Sequence, residues 1–170
     1  MLERTTEFRY DVIEDPRVYA ENRLPARAAF EAFPNAEALR AGETRGENPL
    51  RVSLNGVWRF HHALNLNQLL DGCMAADYDC THWESIRVPG HIQMQGYGTP
   101  QYVNTMYPWD GREHVERGEV PQDYNPVATY VRYFDLPEGW ASDRVIVRFN
   151  GVESAYALWV NGSYIGYATD

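Results

Sequence analysis

The sequence contains no lysine: all 15 basic residues are arginine, against 24 acidic residues, for a net charge of −9. The missing lysine reads as codon usage and carries no function. What matters is that no basic run exists anywhere, since an acidic chain without one repels phosphate backbones. Nucleic acid is excluded as a partner on that ground. Long apolar runs are missing too; none approaches the ~18 residues of a membrane helix. The N-terminus, MLERTTEFRYD, carries charge where a secretory signal needs an apolar stretch. The expectation is a cytoplasmic protein with no membrane partner, in which the sequon Asn161-Gly162-Ser163 goes unused.

Cysteine is scarce. Cys73 and Cys80 alone do not make a disulfide framework, and a zinc site needs more ligands at closer spacing. Two unpaired thiols in a reducing compartment are expected. No HExxH, no GxSxG elbow and no glycine-rich phosphate loop occurs. Among the five histidines, His61 and His62 are neighbours in a candidate strand. They point to opposite faces and cannot share an ion. No metal is assigned to the chain.

What is present is a globular composition of 170 residues, 44% apolar and 14% aromatic, enough for one domain with a real core. Residues 1–50 read as an irregular arm with short helical turns. PARAAFEAFPNAEALRAG offers one or two, cut by Pro34 and Gly42. Residues 51–170 read as β. LNGVWRFHH is a strand entered through an Asn-Gly turn. ATYVRYFDLP alternates Thr129, Val131 and Tyr133 against Tyr130, Arg132 and Phe134, and stops at Pro137. RVIVRF places Val145, Val147 and Phe149 on one face. AYALWV and SYIGYA flank Asn161-Gly162, which favours a type I′ hairpin turn. Strands at short spacing without intervening helices predict an all-β sandwich or jelly roll.

Between Pro89 and Pro126 the alternation fails. This long segment, with Pro100, Pro108 and Pro121 inside it, is rich in glycine and rings, and loops of such length are functional or disordered. Its carboxylates, Asp110, Glu113, Glu116 and Glu119, lack the pairing that glycoside hydrolysis needs and read as a solvated face. The stretch YVNTMYPW sets an amide among rings. A sugar presents an apolar C–H face and a rim of hydroxyls, which suit a flat ring and a planar amide. Tyr97, Tyr102, Tyr107 and Trp109 are candidate rings; Asn104, Gln101 and Gln95 are candidate amides. The competing reading packs Tyr102, Tyr107 and Trp109 on the sandwich and leaves Asn104 to hold a turn.

SLNGVWRF, VPGHIQMQGYGTPQYVNTMYPW, NPVATYVRYFDLP and FNGVESAYALWVNGSYIGYATD, in that order, resemble the N-terminal sugar-binding domain of glycoside hydrolase family 2 β-galactosidases. ENRLPARAAF is similar to the segment before that domain, so the resemblance runs from about Glu21 to Asp170. It implies a jelly-roll β-sandwich that ends before its last strands and carries an extended N-terminal arm. It implies that Asn104, matching the asparagine of the family's Y-x-N-x-x-YP segment, binds substrate in a pocket shared with a catalytic barrel. Tyr102, Tyr107 and Trp109 then brace the loop. The two catalytic glutamates of the family lie in that barrel, so no residue here is catalytic and the isolated chain is expected to be inactive.

The resemblance further implies that the parent enzyme hydrolyses β-galactosides such as lactose, uses Mg²⁺ and a monovalent cation (Na⁺ or K⁺), and forms a homo-oligomer. The alternatives are a stand-alone carbohydrate-binding module and a purely structural or assembly domain. A sandwich short of strands is expected to dimerise, exchange strands or aggregate.

Overall fold

The structure, a computed structural model, describes residues 7–45, 48–100, 102, 104 and 106–169. Gln101, one candidate amide, lies outside the described residues. The chain forms six strands and one α-helix: β1 (Ala20–Glu21), α1 (Ala36–Arg45), β2 (Gly56–Ala63), β3 (Glu84–Val88), β4 (Val127–Val131), β5 (Ala155–Val160) and β6 (Ser163–Thr169). These make two antiparallel three-stranded sheets, β1-β6-β5 and β3-β2-β4. The all-β sandwich architecture is as the sequence predicts.

β2 is the spine of its sheet because both of its faces are covered. Phe60, fully buried, meets Tyr97 and Tyr130 edge-on at 4.5 and 4.9 Å between ring centroids. On the opposite face His61 lies 5.5 Å from Trp83, which packs with the buried thiols Cys73 and Cys80. His61 and His62 therefore do diverge, as strand alternation requires. Tyr133 carries the second face outward, with its hydroxyl 3.4 Å from Cys80 Sγ.

The β5–β6 hairpin turns as predicted. Asn161 and Gly162 both have positive φ, 49° and 76°, the requirement of a type I′ turn. Gly162 is also needed for space, since a Cβ there would stand 3.1 Å from Ala76 N. That contact seats the hairpin on the segment that follows β2. The arm completes this sheet. Ala20 and Glu21 pair with Ala168 and Tyr167, and Val12 is buried with Tyr164 and Tyr167. The Tyr164 hydroxyl donates to the Glu21 carboxylate at 2.7 Å.

Three expectations are corrected. α1 starts after Pro34, with Asn35 Oδ1 accepting from Ala38 N at 2.9 Å, but it runs through Gly42 to Arg45. A glycine in a helix costs only about 1 kcal/mol. Here Asn48 and Arg51 close the segment by bonding back to Ala32 and Glu31. β4 ends at Val131, well short of Pro137. RVIVRF forms no strand, and Val145, Ile146, Val147 and Phe149 stay exposed. Alternation alone does not make a strand; a ladder partner is needed, and none of the described segments pairs with residues 144–149, although the Phe149 ring packs on Tyr156 of β5 at 4.8 Å.

Candidate functional site

The long loop is anchored at both ends and open in its middle. At its start a short 3₁₀ turn, Gln93–Gln95, is ended by Gly96 at φ 97°. The Gln95 side chain folds back on β3: its Oε1 accepts from Arg87 N at 2.8 Å and its Nε2 donates to Arg87 O at 3.0 Å. This candidate amide is thus spent on backbone, not presented to a ligand. Tyr97 is also withdrawn, since its ring packs on Phe60 and its hydroxyl meets Glu84. Burial, and then the Glu84 carboxylate, push that phenol above its ordinary pKa.

At the far end, Glu113 gathers the backbone of the returning chain. Its carboxylate accepts N–H bonds from Gln122, Asp123 and Tyr124 at 2.9, 3.1 and 2.7 Å. Desolvation pushes the Glu113 carboxyl up, but these three donors outweigh it and hold its pKa below the ordinary 4.5. The Arg112 guanidinium lies 3.6 Å from the centroid of the Tyr124 ring, a cation–π contact. Asn125 N donates to Leu64 O at 3.0 Å, and Asn65 Nδ2 to Asp123 O at 3.0 Å, tying the loop to the end of β2.

Asn104 sits between these anchors and is exposed. Tyr102 is 86% exposed, so its ring is not packed on the sandwich as the competing reading has it. Tyr107 and Trp109 stack on each other instead, with centroids 4.9 Å apart and planes inclined by 4°. Tyr107 keeps its other face in water at 66% exposure. Asp110 fixes this pair: its carboxylate accepts from Tyr107 N at 2.8 Å and its own N–H donates to Tyr107 O at 3.0 Å. The loop thus exposes one amide shortly before one held aromatic pair in the chain, groups suited to hydroxyls and to a C–H face.

The remaining loop carboxylates have ordinary duties. Asp110 and Glu113 bind backbone, and Glu116 meets His114 at 2.9 Å on an exposed face. None of the four lines the cavity beside Tyr10 and Gln122 or the one beside Trp159 and Tyr164, and among the described residues no group of three or more His, Cys, Asp or Glu could hold a metal ion. Gln95 as a clamp and Glu113 as a gatherer of N–H groups escaped sequence reasoning. Each acts across 8 to 11 residues of irregular chain, where no period exists to reveal it.

Comparison with known proteins bears on the same residues. A sequence model of the family described as glycosyl hydrolases family 2, sugar binding domain, matches residues 51–170. The chain is 46% identical over 160 residues to a β-galactosidase of Halalkalibacterium halodurans, and 40% identical over 158 residues to one of Streptococcus thermophilus. Each alignment covers 93% of this chain and 15% of the relative. A β-galactosidase large subunit of Latilactobacillus sakei is 35% identical, with 93% of this chain and 27% of that protein aligned. The chain therefore spans a small fraction of the length of these relatives. Among its described residues no helix is long and apolar enough to cross a membrane. With a match over all of residues 51–170, on an all-β chain, the protein belongs to the glycosyl hydrolase family 2 sugar-binding domain family.

Proposed function

We propose that this chain is the N-terminal part of a β-galactosidase that releases terminal β-D-galactose from β-galactosides such as lactose, and that Asn104 contacts the galactosyl hydroxyls. The similarity to proteins named β-galactosidase over 93% of the chain carries the first statement. The placement of an exposed amide in a loop clamped at both ends supports the second. On this reading residues 1–50 are an arm and 51–170 the domain proper. The acid and the nucleophile come from a catalytic barrel elsewhere in the protein.

Within that assembly the loop positions rather than reacts. An amide can donate to one sugar hydroxyl and accept from another, and the Tyr107–Trp109 stack keeps the adjoining chain in place. The enzyme is cytoplasmic and homo-oligomeric on this reading, and it employs Mg²⁺ and Na⁺ or K⁺. Among the described residues no group of three or more His, Cys, Asp or Glu could hold a metal ion, and no residue of the chain is assigned to these ions.

The deciding experiment is hydrolysis of a chromogenic β-galactoside by the purified chain, alone and mixed with the remainder of its parent enzyme. No turnover alone and activity on mixing is the expected result. Turnover by the chain alone, lost on replacing Asp110, Glu113, Glu116 or Glu119, would overturn the proposal.

A further inference from the structure

A second site is suggested where the arm meets the returning end of the long loop. A cavity of about 280 Å³ lies there. Its lining combines aliphatic carbon with two carboxylates, Asp11 and Glu14, three side-chain amides, Asn67, Gln122 and Asn125, and the ring of Tyr10. The walls are fixed by bonds already described: Glu113 holds Gln122 and Leu64 holds Asn125. The Gln122 amide also donates to Val120 O at 3.2 Å and, weakly, to the Glu14 carboxylate at 3.5 Å. The Tyr10 ring is oriented by an edge contact with Phe8, centroids 5.0 Å apart, and stays about half exposed.

The chemistry of the lining narrows the ligand. No lining residue is basic, and Arg9, whose Nε lies 3.5 Å from the Asp11 carboxylate, is already paired there, so an anion finds no free cation in the lining. Among the described residues no group of three or more His, Cys, Asp or Glu could hold a metal ion, and the two carboxylates of this lining fall short of that number. An ammonium group would use the carboxylates but leave the amide N–H donors without acceptors. Hydroxyls satisfy both, and an oriented phenol ring offers a face to C–H bonds. The volume sits at the small end of ligand pockets, roughly 300 Å³ and upward, which suits one sugar ring and not a longer saccharide.

We propose that this cavity binds a single neutral pyranose, with Tyr10 against its C–H face and the Asp11, Glu14, Asn67 and Asn125 side chains on its hydroxyls. The site is independent of Asn104 and of the catalytic reading above, since it uses neither the loop centre nor any residue of a barrel.

The test is a titration of the ¹⁵N-labelled chain with methyl β-D-galactopyranoside, followed by backbone amide shifts. Saturable shifts at residues 10–14, 66–67 and 120–125 are expected, with Kd on the order of 1 mM for so small a ligand. Asn67→Ala, at an exposed position, should weaken binding about five-fold, and Tyr10→Leu should weaken it further. Asn104→Ala should leave it unchanged. Three results overturn the proposal: no saturation up to about 100 mM sugar; shifts centred on residues 94–109 and abolished by Asn104→Ala; or methylammonium chloride producing the same shifts at lower concentration than the sugar.

Discussion

The Gln95 side chain pairs with Arg87 as a short extra strand would, through one accepted and one donated backbone hydrogen bond. β3 is an edge strand, and its outward N–H and C=O groups otherwise face water or another chain. The pairing needs the close approach of Gly90, where a Cβ would stand 2.7 Å from Gln95 Nε2 and 3.1 Å from Arg87 O.

Removing the clamp should cost stability. Two bonds at about 0.5–1.5 kcal/mol each set the scale, so Gln95→Ala is expected to lose about 1–3 kcal/mol in urea unfolding. Gly90→Ala should lose a similar amount by displacing the amide. Gln95→Glu keeps the acceptor for Arg87 N but loses the donor to Arg87 O, and should fall between wild type and Gln95→Ala. A Gly90→Ala chain as stable as wild type would falsify the clamp.

The Glu113 contacts predict a pH dependence. Because its folded pKa lies below the ordinary 4.5, the stabilisation is fully present above that value and is lost as pH falls through the folded pKa. Hydrogen exchange protection at the Gln122, Asp123 and Tyr124 amides should therefore decline in acid before protection in β2 does. Glu113→Gln should remove that pH dependence and lower protection at neutral pH, since an amide offers one acceptor oxygen in place of two. Equal protection of the three amides on both sides of the transition would exclude the assignment.

What could be read from the sequence was what local chemistry dictates. The Asn161-Gly162 hairpin was legible because both positive φ values are a property of those two residues. β2 was legible because the Asn55-Gly56 turn signal marks where it begins. RVIVRF carried an equally clear alternation and formed no strand, because a ladder depends on a neighbour the alternation does not name. Gln95 looked like a ligand amide because an amide serves backbone and sugar alike; only Gly90 and the edge of β3 decide between them. Asn104 was legible as a candidate through its motif, whereas the cavity beside Tyr10 was not, since it joins residues 10–14 to 120–125.

The exposed apolar row predicts self-association. Val145, Ile146, Val147 and Phe149 are 37–46% exposed, and Tyr133 and Phe134 add to the apolar surface. Contiguous patches of this kind drive contacts between copies. Light scattering on the purified chain should show a mass that rises with concentration, and Val147→Arg should lower it. A monomer throughout, melting cooperatively, would count against the patch as a contact surface.

Asn104 is best tested in the parent enzyme, where the loop has its proposed partner. Asn104→Ala removes hydrogen bonds to substrate worth about 1–3 kcal/mol, so kcat/KM should fall roughly 5- to 150-fold. Because the residue is exposed and lies between the two anchors of its loop, the melting temperature should not move. Asn104→Asp keeps the acceptors and loses the donor, so it should retain part of the activity if the amide both gives and takes a bond. Tyr107→Ala should act differently: it unstacks Trp109 but keeps the backbone bonds between position 107 and Asp110, so it should loosen the ring pair and alter kinetics without releasing the turn. Unchanged kcat/KM in Asn104→Ala would leave the loop a packing element and return the rings to assembly.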